Sequence, residues 1–103
     1  METVLITGAS SGIGKEIAHI YASRRNKLVL VARSTQKLTK LKRELEEKYG
    51  IEAIVKSFDL ANPKNAKQLY RETSNEGIDV DYLINNAGVG RLSEFINDEL
   101  IEN

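Results

Sequence analysis

Between its first apolar run and its first helical pattern the chain reads Thr7-Gly8-Ala9-Ser10-Ser11-Gly12-Ile13-Gly14. A diphosphate held by main chain needs three conditions: close backbone, amide hydrogens aimed at it, and the positive end of a helix dipole. Glycine meets the first, because a Cβ would collide with the turn or with the ligand. The helix entered at Gly12 to Gly14 meets the other two, so residues 7–14 read as a cradle for the phosphates of a nucleotide. Two other cradles are excluded by counting. A P-loop needs glycine five residues before Gly14-Lys15 and a hydroxyl after the lysine, but Ala9 and Glu16 stand there. The G-x-G-x-x-G fingerprint fails because Ile17 occupies its third glycine position. What remains is T-G-x-x-x-G-x-G.

The elements that must position this bend alternate strand and helix, which favours an α/β chain with a parallel sheet. Val4-Leu5-Ile6-Thr7 and Leu28-Val29-Leu30-Val31 are continuous apolar runs and read as central strands. Over residues 12–24, Ile13, Ile17, Ile20 and Tyr21 recur at helical spacing and predict one buried stripe. Ser34 predicts the cap of a second helix with Leu38, Leu41 and Leu45 inward and Gly50 as its stop. Ala53-Ile54-Val55 is the middle of a weaker third strand. Asn62-Pro63 opens a third helix with Ala66, Leu69, Tyr70 and Thr73 inward and Gly77 as its end. Asp81-Tyr82-Leu83-Ile84-Asn85 reads as a fourth strand, and a last helix starts after Ser93.

The octet, together with Asn85-Asn86-Ala87-Gly88 after the fourth strand, resembles the short-chain dehydrogenase/reductase family over the whole chain. The resemblance implies a Rossmann-like doubly wound parallel sheet, in part, with strand order 3-2-1-4 and one domain over residues 1–103. It implies that Gly8, Gly12 and Gly14 form the cradle of a nicotinamide dinucleotide, with Ser10, Ser11 and Ile13 along its ribose and phosphates. Asp59 and Leu60 resemble the pair that reads adenine: a carboxylate for the exocyclic amine, a backbone amide for a ring nitrogen. Without the family, Asp59 reads as a turn residue before a helix. The segment Asn85-Asn86-Ala87-Gly88 would pass under the ribose and pack the sheet against the glycine turn.

Charge at the end of the second strand bears on the choice of cofactor. A site for NAD places an acidic residue about twenty residues beyond the glycines, on the ribose 2′-hydroxyl. Here the chain reads Val31-Ala32-Arg33-Ser34, and no Asp or Glu occurs between Glu16 and Glu44. Ala32 takes the carboxylate's place. An arginine fork makes charge-assisted bonds to a 2′-phosphate, which a carboxylate would repel. Arg33, with Ser34 beside it, predicts NADP(H) in preference to NAD(H).

The family's reaction moves hydride between nicotinamide and a carbonyl or hydroxyl carbon, using a serine, a tyrosine and a lysine four positions later. No Y-x-x-x-K exists: the fourth residues after Tyr21, Tyr49, Tyr70 and Tyr82 are Arg25, Ala53, Ser74 and Asn86. Ser93 precedes the strand that would carry the serine, and Asn103 falls short of the helix asparagine. The expectation is a cofactor-binding first half of an oxidoreductase, shortened by gene truncation, incomplete sequencing or design, and inactive alone. The alternative is a non-catalytic nucleotide-binding or regulatory module that senses cofactor or pairs with a full-length relative.

The 103 residues carry 15 basic and 15 acidic side chains, which argues against a nucleic-acid or membrane partner. The absence of cysteine excludes disulfides and thiolate catalysis, and one histidine makes a zinc site unexpected. No stretch approaches the ~18 apolar residues that span a bilayer, so the expected location is cytoplasmic. Residues 37–48 read as the wet side of the second helix, with Lys40/Glu44, Arg43/Glu47 and Glu44/Lys48 four apart. His19 is expected in solvent, Tyr21 and Tyr70 in the core, and Arg91 in a loop. The fourth strand is expected to be an apolar exposed edge through which the chain self-associates.

Overall fold

The structure is a computed structural model and describes residues 1–86. The expected last helix, Arg91 and Asn103 lie outside the described residues, as do Ala87 and Gly88. In chain order the elements are β1 (Thr3–Thr7), α1 (Gly12–Ser23), β2 (Lys27–Ala32), α2 (Thr35–Tyr49), β3 (Ala53–Ser57), α3 (Pro63–Asn75) and β4 (Tyr82–Asn85). All pairings are parallel, in the order β3-β2-β1-β4. This is the α/β arrangement of a partial Rossmann fold.

Alternation along the central strands separates two cores. Val4 and Ile6 of β1 and Leu28 and Leu30 of β2 face α1 and α2, where Ala18, Ala22, Leu38, Leu41 and Leu45 meet them. Leu5, Val29 and Val31 face the other way, onto Ala66 and Leu69 of α3. Because β1 and β2 are covered on both faces, their sequences have no polar alternation to show. The expected caps are present. Ser34 Oγ accepts the Lys37 N–H at 3.3 Å, and Asn62 Oδ1 accepts the Lys64 N–H at 3.0 Å with Pro63 opening α3. Gly50 ends α2 in the left-handed region at φ 67°.

The buried stripe of α1 differs from the expected one. Gly14, Ala18 and Ala22 are its buried residues, while Ile13 is 67% and Ile20 49% exposed. Ile17 and Tyr21 pack partly against the core. The reason is distance: a Cβ on Gly14 would stand 2.1 Å from the Gly8 carbonyl oxygen, so α1 lies too close to the β1 turn for bulk. Hydrophobic period weights isoleucine over glycine and alanine, so it found Ile17 and Tyr21 at the margin of the buried face and missed its centre.

His19 also departs from expectation. Its Nδ1 lies 3.0 Å from the Tyr49 hydroxyl and its Nε2 3.3 Å from Glu44 Oε2, so it bridges α1 to α2. Glu44 is drawn across to Lys15 as well, at 3.7 Å. The i,i+4 ion pair formed within α2 is Lys42 to Glu46 at 3.8 Å. Tyr70 is half-buried beside the buried Leu69 and Thr73. Among the described residues no helix is long and apolar enough to cross a membrane.

Candidate cofactor site

A parallel sheet brings the carboxyl ends of its strands to one edge. The chain leaves β1 onto one face and enters β4 from the other, so a crevice opens between them there. Gly8 takes φ 64°, a conformation that a side chain disfavours. Its carbonyl then collects three donors: Ser11 N–H at 3.2 Å, Ser11 Oγ at 2.8 Å and Asn86 Nδ2 at 3.3 Å. Asn86 Nδ2 also lies 3.2 Å from Ser11 Oγ. Below it, the buried Thr7 hydroxyl donates to Asn85 Oδ1 at 3.1 Å, and the Ala9 N–H bonds the Val31 carbonyl at 3.2 Å. The glycine turn is thus tied to both neighbouring strands.

The start of α1 is arranged differently from those of α2 and α3. Ser11 occupies the N-cap position but makes no side-chain cap bond, because its hydroxyl is turned back to Gly8. No acidic residue stands in the first turn. The amides of that turn therefore lack the side-chain oxygen that Ser34 and Asn62 supply elsewhere, and they bring partial positive charge to the crevice.

An open cleft of about 870 Å³ begins at this turn. One wall is Gly8, Ser10 and Ser11, with Asn86 beside them. The β2 wall is Ala32, Arg33, Ser34 and Lys37, and the third wall is Phe58, Asp59, Leu60 and Ala61. Seven of the expected site residues meet here: Gly8, Ser10, Ser11, Arg33, Ser34, Asp59 and Leu60. The Arg33 carbonyl accepts the Ser57 hydroxyl at 2.9 Å, which fixes its backbone while the side chain stays exposed. Asp59 Oδ1 accepts the Ala61 N–H at 3.1 Å and its carbonyl accepts Asn65 Nδ2 at 2.8 Å. Asp59 therefore organises the turn before α3 and lines the cleft at once.

Gly12, Ile13, Gly14 and Asn85 do not line it. Gly14 is a packing residue: its added Cβ would also meet Asn86 Nδ2 at 2.7 Å. Gly12 is the opposite case, with no protein atom within 4 Å of an added Cβ. Asn85 acts from beneath, through Thr7. Reasoning from sequence missed Lys37, Phe58 and Ala61 as lining residues. Asn86 stood within the quoted motif, and its amide is what joins β4 to the turn. Lys37 sits four residues beyond Arg33, on the first turn of α2, and falls within residues 37–48, which read as a solvated face.

The family model for short chain dehydrogenases matches residues 2–103. Among curated relatives, an 11-beta-hydroxysteroid dehydrogenase of Pinus massoniana is 40% identical over 89 residues, covering 86% of this chain and 25% of that protein. An NADP-dependent 3-hydroxy acid dehydrogenase of Schizosaccharomyces pombe is 39% identical over 89 residues, covering 85% of this chain and 34% of that protein. Among solved structures, L-sorbose reductase from Gluconobacter frateurii, complexed with NADPH and L-sorbose, superposes with TM-score 0.79 at 36% identity. The match covers 86% of this chain and 34% of that one. A short-chain dehydrogenase from Sphingobium yanoikuyae in complex with NADPH gives TM-score 0.82 at 28% identity, over 99% of this chain and 49% of that one. The chain spans 25% and 34% of the length of these two curated relatives. With its 3-2-1-4 parallel sheet and its glycine turn tied to β4, the chain belongs to the short-chain dehydrogenase family of oxidoreductases.

Proposed function

We propose that this chain is the NADP(H)-binding portion of an oxidoreductase that moves hydride between NADP(H) and a carbonyl or alcohol carbon. The observation that carries the reading is Gly12. Neither packing nor a positive φ requires glycine there, yet the space in front of it is empty beside an uncapped helix start. A diphosphate fits that vacancy, and a side chain would compete for it. The cleft that begins at the neighbouring Gly8, Ser10 and Ser11 falls within the ~300–1,000 Å³ of ordinary ligand sites.

In this reading the α1 amides and the Ser10 and Ser11 segment hold the diphosphate, and Asn86 keeps the turn open by bonding the Gly8 carbonyl. Arg33 and Ser34 receive the 2′-phosphate. Asp59 and Leu60 face the adenine, and the exposed Ile13 lies along the ribose and phosphates. Asn85 braces this floor through Thr7. A bound dinucleotide supplies the hydride. The chain's own residues bind and orient it, and the sequence offers no Y-x-x-x-K to move the proton. Both NADPH-bound neighbours and the NADP-dependent relative favour this cofactor.

Calorimetric titration with NADPH and NADH tests the reading. NADPH is expected to bind about tenfold tighter, a difference of about 1.4 kcal/mol. Equal or tighter binding of NADH refutes it. A purified 103-residue chain that reduced ketones with NADPH would refute the claim that it binds without turning over.

A further inference from the structure

The β2 wall of the cleft carries two cations, Arg33 and Lys37, and neither has an ion-pair partner among the described residues. We propose that Lys37 is a second specificity-determining residue, sharing the 2′-phosphate with Arg33 so that discrimination against NAD(H) is divided between two side chains. This rests on the NADP(H) reading above and names a residue that the reading does not use.

The charge balance is the first ground. A phosphate monoester carries about −1.5 to −2 at pH 7, so one guanidinium leaves roughly half of it uncompensated. The second cation must come from the same wall, since the opposite wall contributes the Asp59 carboxylate. Position is the second ground. Lys40 and Arg43 further along α2 do not line the cleft, whereas Lys37 does. Lys15, Lys27, Lys42 and Lys56 are each held by a glutamate, so their charge is already answered. The third ground is local geometry. The Lys37 N–H donates to Ser34 Oγ at 3.3 Å, which orients the Ser34 hydroxyl and leaves its proton to donate to the same phosphate. Lys37 stands on the first turn of a helix, so its stem starts from a fixed point while Arg33 extends from a loop.

The test compares wild type, K37A, K37R, R33A and the K37A/R33A pair by calorimetry with NADPH, NADH, adenosine 2′,5′-bisphosphate and 5′-AMP. Lys37 is exposed and its cap bond is made by its backbone, so K37A is expected to keep the wild-type circular dichroism and melting midpoint. The expected result for K37A is about a fivefold loss for NADPH and the bisphosphate, under about twofold for NADH and 5′-AMP, with K37R near wild type. If K37A leaves the NADPH/NADH ratio at its wild-type value while R33A collapses it, Lys37 has no part and the inference falls alone. If wild type prefers NADH or binds neither dinucleotide, the NADP(H) reading falls and takes the inference with it.

Discussion

Replacing Gly12 and Gly14 separately by alanine separates a glycine kept for the protein from one kept for a ligand. At Gly14 the new Cβ would stand 2.1 Å from the Gly8 carbonyl oxygen and 2.8 Å from its carbon, both backbone. Ordinary C···O approach is about 3.3–3.6 Å, so α1 and the turn must part by about 1 Å. That opens the contacts of Asn86 and Ser11 with the Gly8 carbonyl. Such overpacking costs about 1–3 kcal/mol. Alanine's helix preference, up to about 1 kcal/mol, offsets only part of it. At Gly12 nothing lies within 4 Å, so alanine is expected to leave stability unchanged or slightly higher. The binding order reverses this: G12A loses NADPH affinity by at least tenfold although fully folded. Urea unfolding followed by circular dichroism reads the first quantity, and calorimetry the second. A G12A chain that binds NADPH as wild type does, or that loses as much stability as G14A, refutes the division of roles.

Three further outcomes are expected. Burial of Lys56 disfavours its ammonium, but its bonds to Glu76 and to Glu72 outweigh this and raise its pKa above 10.5. From neutral pH upward its contribution therefore persists to about pH 10.5 and fades as pH rises through the raised value, so on that side the stability gap between wild type and K56M narrows in strong alkali. A gap that closes between neutral pH and about pH 9 contradicts the pairing. Removing the α3 cap in N62A is expected to lower stability by about 1 kcal/mol, seen as a melting midpoint about 4–8 °C lower. An unchanged midpoint would show that α3 is held by Pro63 and its apolar face alone. Finally, β4 pairs with β1 alone among the described residues, and Tyr82 on it is 51% exposed. Sedimentation equilibrium is expected to show mass rising with concentration, and Y82K to abolish the rise; a wild-type monomer at every concentration excludes association through this edge.

The fold was legible because local signals agreed with each other. Ser34, Gly50, Asn62 and Pro63 mark helix ends by chemistry that acts within four residues, and the structure has them in those roles. The apolar runs of β1 and β2 announced central strands. The inward face of α1 was legible only at its margin, in Ile17 and Tyr21. Which side of a helix is buried depends on how near its neighbour lies, and Gly14, Ala18 and Ala22 carry little hydropathy to reveal it. The bridge from His19 to Tyr49 and Glu44 was hidden for a similar reason, since the crossing of α1 over α2 sets it.

The sequence by itself determined where the glycine turn falls and what charge stands at the end of β2. Glycine spacing and the absence of a carboxylate between Glu16 and Glu44 are properties of the chain, present before any folding. Only the tertiary structure divided the labour among those residues. It put Gly8 in the left-handed region, Gly14 against the Gly8 carbonyl and Gly12 in open space, and it brought Asn86 across from β4 to the Gly8 carbonyl. It also brought Lys37 to the wall of Arg33. Backbone dihedrals and spacing are local, whereas clearance and facing walls arise when distant segments are packed together, and no neighbour-to-neighbour rule contains them.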